Sequence, residues 1–479
     1  MQRRRIRPLL MPAALALGLA GCITVGPDYT PPASDVPAAW SRLDDAADPA
    51  TVAASLGDTR LWWRSLGDPL LAALVDEALQ ASPDLRGAQA RLREARARRA
   101  VTRSDLFPSL TASASGSRSE TSDVTRDAYS AGFDASWEID VFGGVRRGVE
   151  AAEADLDRAE ANLGDAQVSL AAEVALNYVE LRALQARLGI ARGNLASQSE
   201  TLQLTEWRAE AGLVSGQDVE QARTNREQTR AQIPNLETSA AEAEHRLDLL
   251  LGKSPGTLHA TLVPAGDLPD VPAGIAVGIP ADVLRRRPDV RAAERQLAAE
   301  TARVGVAQAA RYPSFRLSGS IGIEALSFGD LTDDADSSSS LLGGITAPIF
   351  DAGRLRNQVQ AQDAVREQAL VAYEQAVLTA LQEVENALVA LARNRERVEA
   401  LTNATRSARN AAELARQRYG AGLVDFQSVL DTERSVLSVE DSLASTRADG
   451  VLSLIRLYKA LGGGWTAPGD SGAAGQVTR

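Results

Sequence analysis

The sequence predicts a mainly α-helical protein that carries a transmembrane β-barrel segment, with duplicated coiled-coil hairpins and four β-strands per chain. Three observations predict it: a strand with two unlike faces, a heptad pattern sustained over very long helices, and the recurrence of the whole plan at a fixed offset. The strand is Tyr129–Val141. Tyr129, Ala131, Phe133, Ala135, Trp137, Ile139 and Val141 fall on one face. Ser130, Gly132, Asp134, Ser136, Glu138 and Asp140 fall on the other. Period two is the signature of a strand, and about 9–11 residues, apolar outside and polar inside, is what a transmembrane barrel needs. Phe133 and Trp137 are thus expected to face lipid, with Trp137 near mid-membrane, and Asp134, Glu138 and Asp140 to face a lumen, with Arg316 as their cationic partner.

The N-terminus sets the compartment. Arg3, Arg4, Arg5 and Arg7 form a basic stretch, and Leu9 to Ala20 a short apolar one. The apolar run is too short to span a bilayer, so residues 1–21 read as a signal peptide. Leu19-Ala20-Gly21-Cys22 resembles a bacterial lipobox, in which the cysteine becomes the first mature residue and carries lipid. Ile23 follows, and no aspartate marks inner-membrane retention, so the expected address is the outer membrane. No segment supplies eighteen consecutive apolar residues, so no transmembrane helix is expected. The chain has 479 residues and a net charge of −12. Loss of the leader leaves 47 of the 51 basic residues against 63 acidic ones, a net of −16, which disfavours nucleic-acid binding. Both methionines, Met1 and Met11, lie in the leader, and Cys22 is the single cysteine. Soft-metal ligands are therefore nearly absent.

Residues 22–66, rich in Pro and Ala with Trp40, Trp62 and Trp63, read as an extended arm. Repeat one covers 67–252. Helix is expected from Pro69 to about Asp105, where Pro108 ends it. Strands follow at about 107–118 and 128–142, separated by a polar loop at 118–127. A long helix runs from about 145 to 211, and a shorter one from about 216 to 251. A Pro/Gly-rich linker, 253–280, leads to repeat two at 281–462 and a tail at 463–479. Ser82-Pro83-Asp84-Leu85-Arg86 returns as Arg287-Pro288-Asp289-Val290-Arg291, and Phe107-Pro108-Ser109 as Tyr312-Pro313-Ser314, both at an offset of 205. Ala211-Gly212-Leu213-Val214 returns as Ala421-Gly422-Leu423-Val424, and Leu251-Gly252 as Leu461-Gly462, both at 210. Such an offset means a duplicated module, not a short-period solenoid. The second copy has strands at about 312–325 and 340–350, around a polar stretch, Asp330–Ser340, suited to a loop.

Leu370, Val377, Val384, Leu391 and Val398 recur every seven residues. Leu156, Leu163, Leu170 and Leu184 do likewise, with Asn177 the exception. Sustained heptads argue coiled coil. About 67 residues of helix span roughly 100 Å, which two shorter helices end to end would match. Four strands cannot close a barrel, since about eight are needed even for a filled one. Open edges are not tolerated in lipid. The chain must therefore oligomerise, and three copies would give twelve strands.

The lipobox, the duplicated helix–hairpin–helix plan, Phe350-Asp351-Ala352-Gly353-Arg354 and Arg418-Tyr419-x-x-Gly422 together resemble the outer membrane factors of tripartite efflux pumps. The match is to the OprM-like lipoproteins of the TolC superfamily and covers nearly all of the mature chain. The resemblance implies a homotrimer: a twelve-stranded barrel in outer-membrane lipid and a helical barrel across the periplasm, docked on a periplasmic adaptor and an inner-membrane pump of the resistance–nodulation–division type. It implies a duct, with no cofactor and no enzymatic activity. The repeated turns at Gly212 and Gly422 are expected to form the periplasmic tip, with Ser215 and Asp425 as N-caps. Gln427 and Asp431 share a helix face, and the resemblance places Asp431 in an acidic ring at the closed entrance, with Arg418 nearby. The alternative is that Asp431 pairs with Arg434 on a solvated face. No catalytic motif competes: His245 and His259 lie fourteen apart, one in helix and one in linker, and there is no P-loop or dinucleotide fingerprint. A different class of protein, a structural coiled-coil lipoprotein tethering envelope layers, would explain the heptads and anchor but not the duplicated strands.

Overall fold

The computed structural model describes residues 24–32, 36–41, 59–121, 124–269, 271, 277–333 and 335–465. Cys22, the leader and the tail beyond Trp465 lie outside them. The elements are α1 Pro69–Ala81, α2 Pro83–Ser104, β1 Ser109–Thr121, β2 Val124–Ile139, α3 Gly144–Glu210, α4 Gly216–Leu250, α5 His259–Leu262, α6 Pro280–Arg286, α7 Pro288–Ala309, β3 Ser314–Ala325, α8 Asp330–Asp333, β4 Asp336–Thr346, α9 Arg354–Gly420 and α10 Phe426–Ala460. The long helices α3 and α9 have 67 residues each, and α4 and α10 have 35 each.

The chain forms two compact units. One is built from Met1–Ala33, Arg91–Glu160 and Ala292–Glu374, the other from Ser34–Ala90, Ala161–Arg291 and Gln375–Arg479.

The first unit holds the sheet, in the order β1-β2-β3-β4, every pair antiparallel. The expected loop at 118–127 is instead the end of a hairpin. Arg118 pairs with Asp127 in register, and the two side chains form an ion pair at 2.6 Å. Polar composition alone suggested a loop there, but cross-strand charge pairing lets a polar segment stay in the ladder. In the same way β4 begins at Asp336, inside the stretch expected to be loop. At the other end of the sheet the described arm is pinned to the strand–helix junction. Val25 N donates to Phe142 O at 3.1 Å. Arg147, only 4% exposed, donates to the carbonyls of Val25 and Gly26 and to Asp28. Gly26 has φ 96°, and a Cβ there would lie 2.4 Å from the Cα of Gly305 in α7. Only glycine permits that approach.

The second unit holds the main core. Trp62, Trp63, Leu71, Leu74 and Val75 pack with Val174, Tyr178 and Leu181 of α3 and with Leu454, Ile455 and Leu457 of α10. On α9, Val377, Ala380, Val384, Ala387 and Leu391 are buried at alternating spacings of three and four. That is the a/d seam the heptads predicted.

The expected single helix from Pro69 to Asp105 is two, broken between Ala81 and Pro83. Pro83 has no N–H to donate and disfavours helical backbone in the residue before it. Its counterpart breaks α6 from α7 at Arg287-Pro288. These breaks explain two repeats that looked independent in the sequence. Gly252, at the end of α4, meets Pro83 Cδ at 3.1 Å from its Cβ position, and Gly462, at the end of α10, meets Arg287 Cα at 3.4 Å. Each pair of motifs is one joint, where a helix C-terminus rests on the start of another helix. The two joints differ in chemistry. Ser82 is buried with its hydroxyl unpartnered, whereas Arg287 donates to Ala460 O at 2.9 Å and pairs with Asp289 at 2.6 Å and Glu383 at 2.7 Å.

Replacing Arg287 with Ala should therefore destabilise the second unit by about 1–3 kcal/mol, the usual worth of hydrogen bonds to charged groups when the carboxylates left behind are partly exposed. Thermal unfolding should show the loss. Ser82→Ala, measured beside it, should change the transition little, since its hydroxyl makes no bond to lose.

Candidate functional sites: a two-faced wall and a capped tip

The strand registers place whole rows of side chains on each face of the sheet. One face carries Leu110, Ala112 and Ala114, then Ala131, Phe133, Ala135, Trp137 and Ile139, then Phe315, Leu317, Ile321 and Ile323, then Leu341 and Ile345. Ser337 and Ser339 are polar exceptions within it, and beyond Tyr129 the face becomes polar, with Arg118, Glu120, Thr125 and Asp127. Many of these apolar groups are exposed, Phe133 at 53% and Leu341 at 79%. Aromatic rings cluster at both ends. Tyr129 meets Phe328 at 5.9 Å at one end; Phe142 stacks on Tyr312 at 4.7 Å at the other. From Tyr129 to Ile139 is about 33 Å of strand, which the tilt of a barrel reduces to roughly 25 Å. An apolar band between two aromatic girdles has the height that the outer surface of a membrane barrel requires.

The opposite face carries Ser109, Thr111, Ser113, Ser115, Ser117, Ser130, Asp134, Ser136, Glu138, Arg316, Ser318, Ser320, Glu324, Asp336, Ser338 and Ser340, with Leu342 as an apolar exception. Its hydroxyls bond across the strands. Ser115 and Ser130 lie 2.9 Å apart and Ser320 and Ser340 2.8 Å apart, while Ser113 donates to Asp134 at 3.3 Å.

Two of the expected strand residues sit differently. Trp137 is not mid-strand: it pairs with Leu317 two rungs from the helix end, and its Nε1 donates to Leu106 O at 3.1 Å. Phe133 holds the mid-height position instead. Asp140 lies beyond the end of β2 and accepts from the backbone N–H of Arg146 at 2.9 Å, tying the start of α3. Alternation carried it onto the strand; its bond to the helix takes it off. Arg316, expected as a partner of the acidic row, faces Glu138 in register and pairs with it at 3.8 Å.

In the second unit, the turns after α3 and α9 share one geometry. Gly212 has φ 73° and Gly422 φ 74°. Leu213 N donates to Arg208 O at 2.8 Å, and Leu423 N to Arg418 O at 2.9 Å, closing a Schellman turn after each helix. Both next helices are capped. Ser215 and Asp218 form a capping box, and Asp425 accepts from the N–H and hydroxyl of Ser428. Those bonds hold the Asp425 carboxyl below the usual carboxylate range. A small core locks the turns: Leu202, Ala222, Tyr419, Phe426, Val429 and Leu430. The Arg208 guanidinium lies 4.4 Å over the Tyr419 ring and donates to the Tyr419 carbonyl. Leu213 and Leu423, at the turns themselves, are exposed at 68% and 73%.

Gln427 donates to Asp431 at 2.8 Å on an exposed face, one turn into α10. Arg434 does not pair with Asp431; its Nε donates to Asn225 at 3.2 Å. Among the described residues no ion pair joins Arg418 to Asp431. The sequence reading missed Arg208 and Glu433. Arg208 could have been found from its place four residues before Gly212. Nothing in the heptads marks Glu433, which is 4% exposed and accepts from Thr201 at 2.7 Å.

A sheet with an exposed apolar face and a hydroxyl face, joined in one chain to helices of this length, defines an outer-membrane channel. The chain belongs to the outer membrane efflux protein family, whose model matches residues 74–253 and 279–463. It is 34% identical over 470 residues to the solvent efflux pump outer membrane protein SrpC of Pseudomonas putida, covering 95% of this chain and 98% of that one. It is 33% identical over 473 residues to nodulation protein T of Rhizobium leguminosarum bv. trifolii, covering 95% and 97%. The solved outer-membrane channel OprN superposes with a TM-score of 0.84 at 38% identity, covering 92% of this chain and 99% of that one. The protein is an efflux channel of the outer membrane.

Proposed function

We propose that this chain is the exit duct of a tripartite efflux system, assembled as a homotrimer whose twelve strands close a barrel. The observation that carries it is the pair of free edges: among the described residues β1 and β4 have no neighbour on their outer sides, in a sheet with one exposed apolar face. Backbone groups left open there would be intolerable in a bilayer, so each β1 takes the β4 of another copy. The exposed Leu213 and Leu423 turns are the surface for a periplasmic adaptor, which links the duct to an inner-membrane pump of the resistance–nodulation–division type. The relatives' names span solvent efflux and nodulation, which fits a duct whose cargo is chosen upstream. Reconstituted protein should run as a trimer on semi-native electrophoresis and conduct in planar bilayers; a non-conducting monomer would sink the proposal.

The anchor is Cys22. Thr24 packs against Gly143 at the helix end of the sheet, so a lipid two residues earlier would lie at the periplasmic leaflet. A mature N-terminus whose mass includes acyl chains at Cys22 is expected; an unmodified one overturns the anchor.

The wall has a sign and a side. Phe133→Arg, at mid-height on the apolar face, should cost about 2–4 kcal/mol and lower the yield of trimer. Asp134→Arg should leave assembly intact and weaken a preference for cations, because acidic groups outnumber basic ones on the hydroxyl face. Equal assembly defects would refute the facing.

At the tip, threefold symmetry would bring three Asp431 carboxylates near one axis, with Gln427 beside each and Arg418 one turn before Gly422. Asp431→Ala should raise conductance and sensitise cells to large antibiotics such as vancomycin. Unchanged values at normal trimer levels would return Asp431 to a solvated face.

A further inference from the structure

The tip bundle has a polar interior that a passive duct does not require. On α3, Gln198, Thr201 and Thr205 face inward with 2%, 6% and 0% exposure; Asn225 and Thr229 of α4 and Glu433 of α10 face them, all below 5%. Of twelve buried polar side-chain atoms without a partner among the described residues, six are in this bundle: both amide atoms of Gln198, and atoms of Arg208, Asn225, Tyr419 and Glu433. An interior of this kind is expensive unless another arrangement or added water satisfies it.

Glu433 is its one buried carboxyl among the described residues. Oε1 accepts from Thr201 Oγ1 at 2.7 Å, and Oε2 accepts from nothing. Facing it are Thr201 of α3, and Arg416 of α9, which donates to Ser197 Oγ at 2.6 Å. On α10 itself Arg434 is committed to Asn225, and Asp431 to Gln427 on the exposed side. Burial raises the proton affinity of Glu433 above the ordinary glutamate range, although Thr201 and Arg416 act against it. A buried carboxyl with one bond made and one oxygen bare is accommodated when neutral and costly when charged.

We propose that Glu433 is a proton-operated latch of the tip: neutral, it holds α10 packed on α3; ionised, it draws water into the polar seam and favours their separation. The proposal rests on the reading of the chain as a gated duct. The packed tip binds the proton more tightly than a hydrated one. Packing is therefore favoured at low pH and is lost as pH rises through the raised value of Glu433. One proton per protomer sets the limit: at most about tenfold per pH unit per protomer in the ratio of open to packed tips.

The test is single-channel recording of the full-length protein in planar bilayers from pH 5 to 8, with the unsubstituted protein as parent. Open probability should rise with pH. Glu433→Gln should flatten the profile and keep the tip packed, with open probability at pH 8 lowered about tenfold or more. Thr201→Val removes the hydroxyl that favours the ionised carboxyl, so it should shift the rise to higher pH. A Glu433→Gln profile that matches its parent overturns the latch, as does an unshifted Thr201→Val profile, and the second arm stands if the first variant does not assemble. Steady conductance without pH dependence refutes the latch and leaves the duct intact. A parent protein that never conducts refutes both.

Discussion

A backbone N–H or C=O facing hydrocarbon has no water to bond, and each one left open costs several kcal/mol. This constraint governs the chain more than any contact in its core. A four-stranded sheet satisfies its two central strands and, among the described residues, leaves β1 and β4 with one bare edge each. Its apolar face, which would ordinarily be covered by helices, is exposed. A water-soluble protein would hide that face and charge those edges. Here the strands carry small and aliphatic side chains up to both edges, and the large charges of the apolar face, Glu120 and the mutually paired Arg118 and Asp127, lie beyond the girdle.

Duplication meets the second demand, which is length. One helix of 67 residues needs a partner of similar reach, and each repeat supplies it in two pieces with a joint. The joint must end one helix and start another in little space. Proline is suited to the starting end, since the first turn of a helix has N–H groups to spare. Glycine at left-handed φ is suited to the finishing end. The two copies then diverged in how they hold the joint: Gly252 on Ala81–Pro83 packs through glycine and proline, whereas Arg287 binds the α10 terminus with hydrogen bonds and ion pairs.

Much of this was legible in the residues. Period two gave β2 and its two faces, and period seven gave the α9 seam at Val377, Val384 and Leu391. What escaped shares a cause: it depends on partners distant in sequence. Alternation placed Asp140 on the strand, because only the bond to Arg146 reveals it as a helix-start residue. Polarity suggested a loop at 118–127, because the Arg118–Asp127 pair exists only once the hairpin has formed. Helical periodicity ran on through Pro83, because a break that preserves the direction of the chain hardly disturbs the pattern. At the turns after the long helices, Gly212, Gly422, Ser215 and Asp425 follow from local turn and cap chemistry, but the bond from Thr201 to Glu433 links residues 232 apart and leaves no local trace.

The serine rungs of the sheet bear on how molecules travel. A hydroxyl that already bonds its neighbour across a strand offers a passing organic molecule little that water does not, and side chains this short give it no apolar pocket to settle in. In the proposed duct a neutral solute would meet a nearly level free-energy profile along these rungs, with brief residence and little competition for sites. A level path has no preferred direction. Outward flow must then be set where cargo is loaded and by dilution beyond the far end, and many unlike compounds can share the same passage.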